Sequence, residues 1–266
     1  MSVLLPTHSV EKIWGRTDLP ASFDCPPGAR IGEIWFEPPP AVPALLVKYL
    51  FTSEKLSVQV HPGAGQAPAG MSGKEECWYI LDAEPDARIA IGFDSPLGAG
   101  ELRSAAIDGS IEQLLTWHEV RPGDFFYIPA GTVHAIGAGI SLIELQQNCD
   151  ITYRLYDYGR PRELHLDAAI EVAQRDPHPD ELRRSAASSG QTRLVDGPHF
   201  DLWQLDGAPD AHLAAELPGA SLLIPLAGEY CVLGQEVPPG TCALVPVGAG
   251  VACTGGGKAL LACARG

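Results

Sequence analysis

The stretch GDFFYIPAGTVHAI, Gly123 to Ile136, decides the fold. It reads as a strand rich in aromatic residues that is stopped by a proline and followed by a tight reversal at a glycine. A second stretch, GTCALVPVGAGVAC at Gly240 to Cys253, repeats the order of Gly, five residues, Pro, one residue and Gly. Where the first copy has His134, the second has Val251. One copy in each half of the chain predicts two related β barrels.

The composition of the chain supports a β fold. Its 266 residues are enough for one large domain or two modest ones. Hydrophobic residues make up 45% and charged residues 19%, and 29 glycines and 24 prolines favour a loop-rich β protein. Short apolar runs such as LSVQV, CWYIL and SLIELQQ predict strands. The predicted fold class is therefore all-β with minor α.

Two segments have helical patterns, SIEQLLTW and the longer ELHLDAAIEVAQR. The longer one leads into DPHPDELRRSAASSGQT, which has the composition of turns and linkers. We therefore predict three parts: a first barrel over residues 1–160, a short helical connector over 161–195 and a second barrel over 196–266.

Charge and cysteine content exclude several classes of protein. The formal net charge of −15 argues against a nucleic-acid partner, because phosphate backbones need a basic face. The apolar run AVPALLVKYLF is interrupted by Pro43 and Lys48 and is too short to span a bilayer. Seven cysteines cannot form a complete disulfide framework, and the N-terminal residues lack the pattern of a signal peptide. These features predict a cytoplasmic protein without a membrane partner.

Four residues could converge on a metal ion. Gln59 and His61 are two apart on a predicted strand and share a face, and Glu76 is in phase with apolar residues of another strand. A carboxylate that points inward among apolar side chains is costly unless it is paired or bound to a metal. With His134, the set has two imidazoles and two oxygen donors, which suits zinc and other divalent ions. The remaining histidines are predicted to be surface residues: His8, His118, His165, His178, His199 and His212.

Several motifs together resemble a known family. GDFFYIPAGTVHAIG resembles the second cupin motif, and EKIWGR, LSVQVHP, KEECWYIL and ITYRLYDYGR are similar to type I mannose-6-phosphate isomerases of the short bacterial kind. The resemblance implies two cupin-like jelly-roll barrels and one Zn²⁺ per chain, bound in the first barrel by Gln59, His61, Glu76 and His134. It also implies a second barrel without metal, where Val251 marks the lost site.

The resemblance further implies the interconversion of an aldose phosphate and a ketose phosphate through an enediolate. Arg154 matches a family arginine near the reacting oxygens, where it could stabilise negative charge. Lys74 and Asp150 match polar residues of the family site, and either could carry the proton; a lysine in that role needs a lowered pKa. Arg160 and Lys55 are predicted to bind the substrate, Arg160 through its phosphate.

Other functions remain open at this point. A chain with such a pocket could be a non-catalytic cupin that binds sugars, or a metal-dependent cupin oxygenase. Glutamine as a ligand argues weakly against the oxygenase, whose usual set is two histidines and a carboxylate. The predicted partner is a sugar phosphate, and the chain is predicted to be a monomer or a homodimer.

Overall fold

The computed structural model describes residues 2–185 and 189–265, so residues 186–188 of the predicted connector lie outside the described part. Eleven strands come first: β1 (Thr7–Arg16), β2 (Ile31–Phe36), β3 (Leu45–Phe51), β4 (Val58–Val60), β5 (Glu76–Ala83), β6 (Arg88–Phe93), β7 (Leu115–Glu119), β8 (Asp124–Ile128), β9 (His134–Ile136), β10 (Ile140–Gln147) and β11 (Tyr153–Tyr156). Seven more follow within the described residues: β12 (Arg183–Ser185), β13 (Thr192–Asp196), β14 (Phe200–Asp206), β15 (Ser221–Val232), β16 (Gln235–Val237), β17 (Ala243–Val245) and β18 (Val251–Ala264).

Helices are few in the part of the chain that the structure describes. They are α1 (Ala99–Asp108), α2 (Leu166–Val172) and α3 (Ala211–Glu216), with 3₁₀ turns at Ser110–Gln113 and Asp180–Leu182. The prediction of a mostly β chain with minor helix is confirmed. None of the described helices is both long enough and apolar enough to cross a bilayer.

The strands form three antiparallel sheets. The first has the order β1-β2-β3-β10-β5-β8-β12, and the second has the order β11-β4-β9-β6-β7. The third, built from the C-terminal part of the chain, has the order β13-β14-β18-β15-β16, with β17 also paired to β15. The strand β12 of the connector extends the first sheet by pairing with β8, so this stretch is not simply a linker.

The central strands of the first sheet, β3, β10 and β5, are buried on both faces. Side chains alternate between the two faces of a strand, and a different apolar layer covers each face. On β5, Trp78 and Ile80 enter an apolar layer shared with β6 and β9 of the second sheet. Cys77 and Tyr79 enter a different layer, which contains residues of the third sheet such as Leu222. The far side of the second sheet is covered by α1 and α2. The first sheet is therefore the central layer of the molecule, and the candidate site lies on its Trp78 side.

The helix predictions are partly wrong. SIEQLLTW forms only a 3₁₀ turn, and its second half is β7, which pairs with β6. Pairing with a neighbouring strand overrides the local helical pattern there. The preceding helix α1 was not predicted; it ends at Gly109, whose φ of 85° suits glycine. The predicted helix in ELHLDAAIEVAQR is confirmed as α2.

Candidate active site

Three buried side chains converge between the first and the second sheet. The metal-ligating atoms of His61, Glu76 and His134 all lie within 4.8 Å of one another. His61 Nε2 is 3.4 Å from Glu76 Oε2, and His134 Nε2 is 3.5 Å from Glu76 Oε1. Each of the three residues is at most 2% exposed. The sequence places these residues on three different predicted strands, and the sheets bring them together.

Backbone pairing orients the two imidazoles. His134 opens β9, which pairs with β4 through the single register pair of Gln59 and His134. His134 Nδ1 is 2.9 Å from the carbonyl oxygen of Thr132, and His61 Nδ1 is 2.7 Å from that of Ile151. A ring nitrogen that faces a carbonyl carries the proton and donates it. Both rings therefore present an unprotonated Nε2 to the centre of the cluster, which is the form that binds a metal.

Gln59 lies beside the cluster with its amide turned away. Its Nε2 is 3.3 Å from His134 Nε2, and its Oε1 accepts a hydrogen bond from the Ser57 hydroxyl at 3.1 Å. The amide oxygen reaches the centre only if the amide rotates and exchanges these two atoms. Gln59 is therefore positioned as the fourth ligand, but it needs a side-chain rotation to act as one.

The charges at the site suit a divalent cation. Burial raises the pKa of the Glu76 carboxyl, but the ammonium of Lys74 outweighs burial and holds that pKa below its ordinary value. Burial also lowers the pKa of His61, helped by Lys74, and lowers the pKa of His134. An ionised carboxylate and two neutral imidazoles are the protonation states that metal binding requires.

One oxygen of the cluster provides an independent test of whether a cation fits. Among the described residues, Glu76 Oε1 is buried without a hydrogen-bond partner. A buried carboxylate oxygen left unsatisfied is costly, and a bound cation removes that cost. The donor set of His61, Glu76 and His134, with Gln59 adjacent, therefore fits zinc or a similar divalent ion.

Lys74 lies within the same cluster. Its Nζ donates to Glu76 Oε2 at 2.6 Å and is 2.9 Å from His61 Nε2. Burial favours the neutral amine, but the carboxylates of Glu76 and Glu144 more than offset burial and raise the pKa of Lys74. A lysine must be neutral to act as a base, and it therefore needs a lowered pKa. The protein groups around Lys74 instead keep it as an ammonium, which is a proton donor.

A second layer of charge lies behind the cluster, and sequence reasoning missed it. Glu144 Oε1 is 3.3 Å from Lys48 Nζ and 4.0 Å from Lys74 Nζ, and Glu144 Oε2 accepts from the Trp78 indole at 3.2 Å. Both Lys48 and Glu144 stand in the middle of apolar strand sequences, ALLVKYLF and SLIELQQ. A lysine and a glutamate that are buried in two such strands must find a partner, and that was the available signal.

Arg154 and Asp150 lie on the segment that borders the cluster. Arg154 is the register partner of Gln59 across β11 and β4. Its Nη1 donates to the Glu163 carbonyl, and within the described residues its Nε is buried without a partner. Asp150 is exposed and precedes Ile151, whose carbonyl is bonded to His61. Arg154 is thus adjacent in the sheet to a candidate ligand, and Asp150 is next in the chain to a residue that is bonded to one.

Arg160 and Lys55 are joined to each other rather than to the cluster. Arg160 Nη1 donates to the Lys55 carbonyl at 2.8 Å, and its Nη2 pairs with Glu54 at 2.8 Å. Lys55 Nζ pairs with Glu112 Oε1 at 2.5 Å. No hydrogen bond or ion pair among the described residues links either side chain to His61, Glu76 or His134. The predicted substrate-binding cations therefore already have carboxylate partners.

The remaining histidines are not all surface residues. His8 and His212 are exposed, as predicted. Four others are half-buried, because their rings or backbones pack against neighbouring elements: His118, His165, His178 and His199. His165 Nδ1 accepts from the backbone N–H of Arg154, and His178 Nε2 is 2.9 Å from the Tyr127 carbonyl.

Comparisons with known proteins extend this description. No protein-family model matches the chain. Mannose-6-phosphate isomerase ManA of Bacillus subtilis (strain 168) is 39% identical over 226 residues, which are 77% of this chain and 70% of that protein. The crystal structure of the mannose 6-phosphate isomerase from Bacillus subtilis superposes with a TM-score of 0.80 at 27% identity, covering 98% of this chain and 99% of the other.

A more distant solved structure shares the fold alone. The zinc-bound form of a mannose 6-phosphate isomerase has a TM-score of 0.73 at 14% identity and covers 98% of this chain and 99% of the other. The likeness to the Bacillus subtilis protein reaches further than the fold, because more than two thirds of both sequences align at 39% identity.

Proposed function

The chain belongs to the mannose-6-phosphate isomerase family, and we propose that it interconverts mannose 6-phosphate and fructose 6-phosphate through an enediolate intermediate. The observation that carries the proposal is the buried cluster of His61, Glu76 and His134, whose ligating atoms lie within 4.8 Å of one another. Lys74 and Arg154 supply charged groups beside it. This arrangement combines a candidate metal site with candidate proton-transfer and charge-stabilising groups.

One Zn²⁺ per chain is the proposed cofactor, held by Gln59, His61, Glu76 and His134. A zinc-bound structure exists for one mannose 6-phosphate isomerase of the same fold. The unsatisfied oxygen of Glu76 and the neutral imidazoles support this assignment. When bound, zinc supplies a Lewis acid that polarises the sugar carbonyl and stabilises the negative charge developing on its oxygen.

The reaction moves a proton between C2 and C1 of the sugar and also moves a proton between the two oxygens, and Asp150 and Lys74 are the proposed groups for these transfers. Lys74 is held as an ammonium by Glu76 and Glu144, so we assign it a proton at Nζ that it can donate to the carbonyl oxygen of the sugar. It regains a proton from the hydroxyl on the neighbouring carbon, which loses its proton as it becomes the new carbonyl. Asp150, which is exposed beside the His61 segment, is then the proposed base that moves the carbon-bound proton. Arg154 is proposed to stabilise charge at the reacting oxygens through its buried, unpaired Nε.

Arg160 is proposed to bind the phosphate, with Lys55 as a neighbouring cation. Both side chains now pair with carboxylates, Arg160 with Glu54 and Lys55 with Glu112. These partners are 47% and 28% exposed, and exposed ion pairs contribute little free energy. A dianionic phosphate can therefore replace them at small cost. When the substrate binds, its phosphate takes the place of Glu54 beside Arg160 and of Glu112 beside Lys55.

The domain organisation is part of the same proposal. Residues 1–160 form the catalytic cupin-like jelly-roll barrel, 161–195 the connector and 196–266 a second barrel without metal. The repeated Gly-x5-Pro-x-Gly stretch supports this division, because its second copy carries Val251 at the position of His134. In the described residues, the candidate His/Glu cluster occurs in the first part.

A cytoplasmic location and a monomeric or homodimeric state complete the proposal. All seven cysteines are free, which supports a reducing compartment. Light scattering from the purified chain measures its mass in solution directly, and a mass larger than a dimer would contradict this part.

Incubation of the zinc-loaded protein with mannose 6-phosphate tests the proposed function. Fructose 6-phosphate should appear, and His134→Ala should lose most of its zinc and its activity while retaining its folded circular dichroism. Two other outcomes identify the alternatives. Binding of sugar phosphate without turnover indicates a sugar-binding protein, and consumption of oxygen indicates an oxygenase; either result contradicts the isomerase.

A further inference from the structure

Four side chains form a row across the face of the first sheet next to the candidate ligands. Lys48 on β3 is the register partner of Trp35 on β2 and of Glu144 on β10. Glu144 is in turn the register partner of Trp78 on β5. Glu76 lies two residues before Trp78 on β5, so this row is adjacent to the row that contains a candidate metal ligand.

Lys48 is buried and held on two sides. It is 3% exposed, its Nζ is 3.3 Å from Glu144 Oε1, and the same ammonium lies 4.3 Å from the centroid of the Trp35 ring. The cation–π contact and the ion pair restrain the ammonium in one place. An ammonium that is this deeply buried needs its carboxylate partner, because an unpaired charge in the interior is costly.

Glu144 stands between two lysines. Its Oε1 is 3.3 Å from Lys48 Nζ and 4.0 Å from Lys74 Nζ, whereas Lys74 Nζ is only 2.6 Å from Glu76. Lys74 therefore has two carboxylates within reach and is bonded to one of them. The presence of Lys48 beside Glu144 reduces the attraction that Glu144 exerts on Lys74.

We propose that Lys48 is a positioning residue of the isomerase: by pairing with Glu144, it keeps Lys74 bonded to Glu76, where Lys74 faces the substrate. Without Lys48, Glu144 is a buried carboxylate with Lys74 as its remaining ion-pair partner in the described residues. Lys74 then turns from Glu76 towards Glu144. The proposal rests on the role given to Lys74 in the proposed function.

The central test compares zinc-loaded Lys48→Met with the wild type. Met keeps the unbranched apolar stem of the side chain and removes the charged amine. Because a misplaced Lys74 acts on the reacting oxygens and not on the phosphate, kcat should fall roughly 10- to 100-fold while KM stays within about 2-fold. Lys48→Gln is the second variant if Lys48→Met does not fold. Unchanged kcat in a folded variant, or a change confined to KM, overturns the proposal.

A double mutant separates a residue that acts through Glu144 from one that acts alone. If Lys48 works only through Glu144, then Lys48→Met should lower the kcat of Glu144→Gln by no more than about 2-fold. A full additional loss in the double mutant shows that Lys48 acts on the substrate by itself and contradicts the positioning role. Lys258→Met is the control, because Lys258 is partly exposed on β18 of the third sheet, away from this row; its kcat should match that of the wild type.

A crystal structure of zinc-loaded Lys48→Met tests the geometry without any assay. Lys74 Nζ should lie within about 3 Å of Glu144 and no longer bond to Glu76. If Lys74 keeps its bond to Glu76, the proposal is wrong. This readout also separates two failures, since an inactive wild-type enzyme contradicts the proposed function, whereas an unmoved Lys74 contradicts only the role of Lys48.

Discussion

At the scale of single residues, the two arginines of ITYRLYDYGR have different surroundings. Arg154 has a buried Nε without a partner among the described residues and is the register partner of Gln59. Arg160 is tied to Glu54 and to the Lys55 carbonyl. Burial lowers the pKa of Arg154, with Arg162 adding to this effect, but a guanidinium remains charged at neutral pH. The two cations are thus suited to different parts of one substrate.

We predict that alanine substitutions separate these two roles. Arg154→Ala should lower kcat with little change in KM, because its charge acts where negative charge develops in the transition state. Arg160→Ala should mainly raise KM, because the phosphate is equally charged throughout the reaction. Each loss should be about 10- to 150-fold, the equivalent of one hydrogen bond to a charged group. Steady-state kinetics on mannose 6-phosphate decide the matter, and a fall in kcat alone for Arg160→Ala would show that this residue does not bind phosphate.

At the scale of elements, the turn before β9 fixes the position of two candidate ligands. Gly131 has a φ of 87°, and a Cβ on it would lie 2.9 Å from the Val172 carbonyl oxygen. Its N–H donates to the His61 carbonyl at 2.8 Å, and its own carbonyl accepts from the Gln174 N–H. Gly131, in the stretch GDFFYIPAGTVHAI, therefore links the backbone of His61 to the turn that leads into β9 and His134.

Gly131→Ala should destabilise the protein by about 1–3 kcal/mol, because an L residue is strained at this φ and the new methyl group contacts backbone. The variant should also retain less zinc, since movement of the turn displaces His61. Urea denaturation and metal analysis measure the two effects. Gly100→Ala in α1 is the control; nothing lies within 4 Å of its Cβ, and alanine is the better helix former. A loss of stability in Gly100→Ala equal to that in Gly131→Ala would contradict the explanation.

His178, in the connector, should make the free energy of unfolding depend on pH. Burial lowers the pKa of His178 below its ordinary value of 6.5, with His118 and Arg183 acting in the same direction and the Tyr127 carbonyl and Glu181 opposing them. The unfolded chain then binds more protons than the folded protein below pH 6.5, so the free energy of unfolding should fall as the pH drops. His178→Gln keeps a donor for the Tyr127 carbonyl and removes the titration. Its unfolding free energy should depend less steeply on pH between about 5 and 6.5; equal slopes in both proteins would exclude His178 as the cause.

At the scale of the whole molecule, the two halves of the chain share a strand-turn stretch but not a ligand set. Val251 opens β18 as His134 opens β9. We predict that Val251→His does not create a second metal site, because a single imidazole without a carboxylate and a second imidazole binds metal weakly. Elemental analysis should give about one zinc per chain in both proteins. A stoichiometric gain of zinc in the variant would show that the second half retains a competent site.

The fold class of this protein and most of its candidate metal ligands could be predicted from patterns of neighbouring residues in the sequence. Alternation of apolar residues predicted the β class, and the glycine and proline spacing located the turn that carries His134. Donor types and strand phase were enough to select His61, Glu76 and His134, which the sheets bring together. Their role as metal ligands stays a prediction. These properties depend on neighbours a few residues apart, and such neighbours are visible in a single sequence.

The features that the sequence did not predict depend on pairing between strands that are distant in the chain. The β7 strand replaced a predicted helix because β6 lies beside it. The ion pair of Lys48 with Glu144 depends on β3 and β10 being adjacent in the first sheet. The pairing of β10 with β5 brings Glu144 near Lys74, where it adds to the effect of the neighbouring Glu76 in raising the pKa of Lys74. Electrostatic interactions depend on distance through space and on burial, and neither is encoded by separation along the chain. The sequence by itself therefore determined which groups this protein brings to its site, whereas only the tertiary structure decided which of them are charged and which carboxylate each lysine contacts.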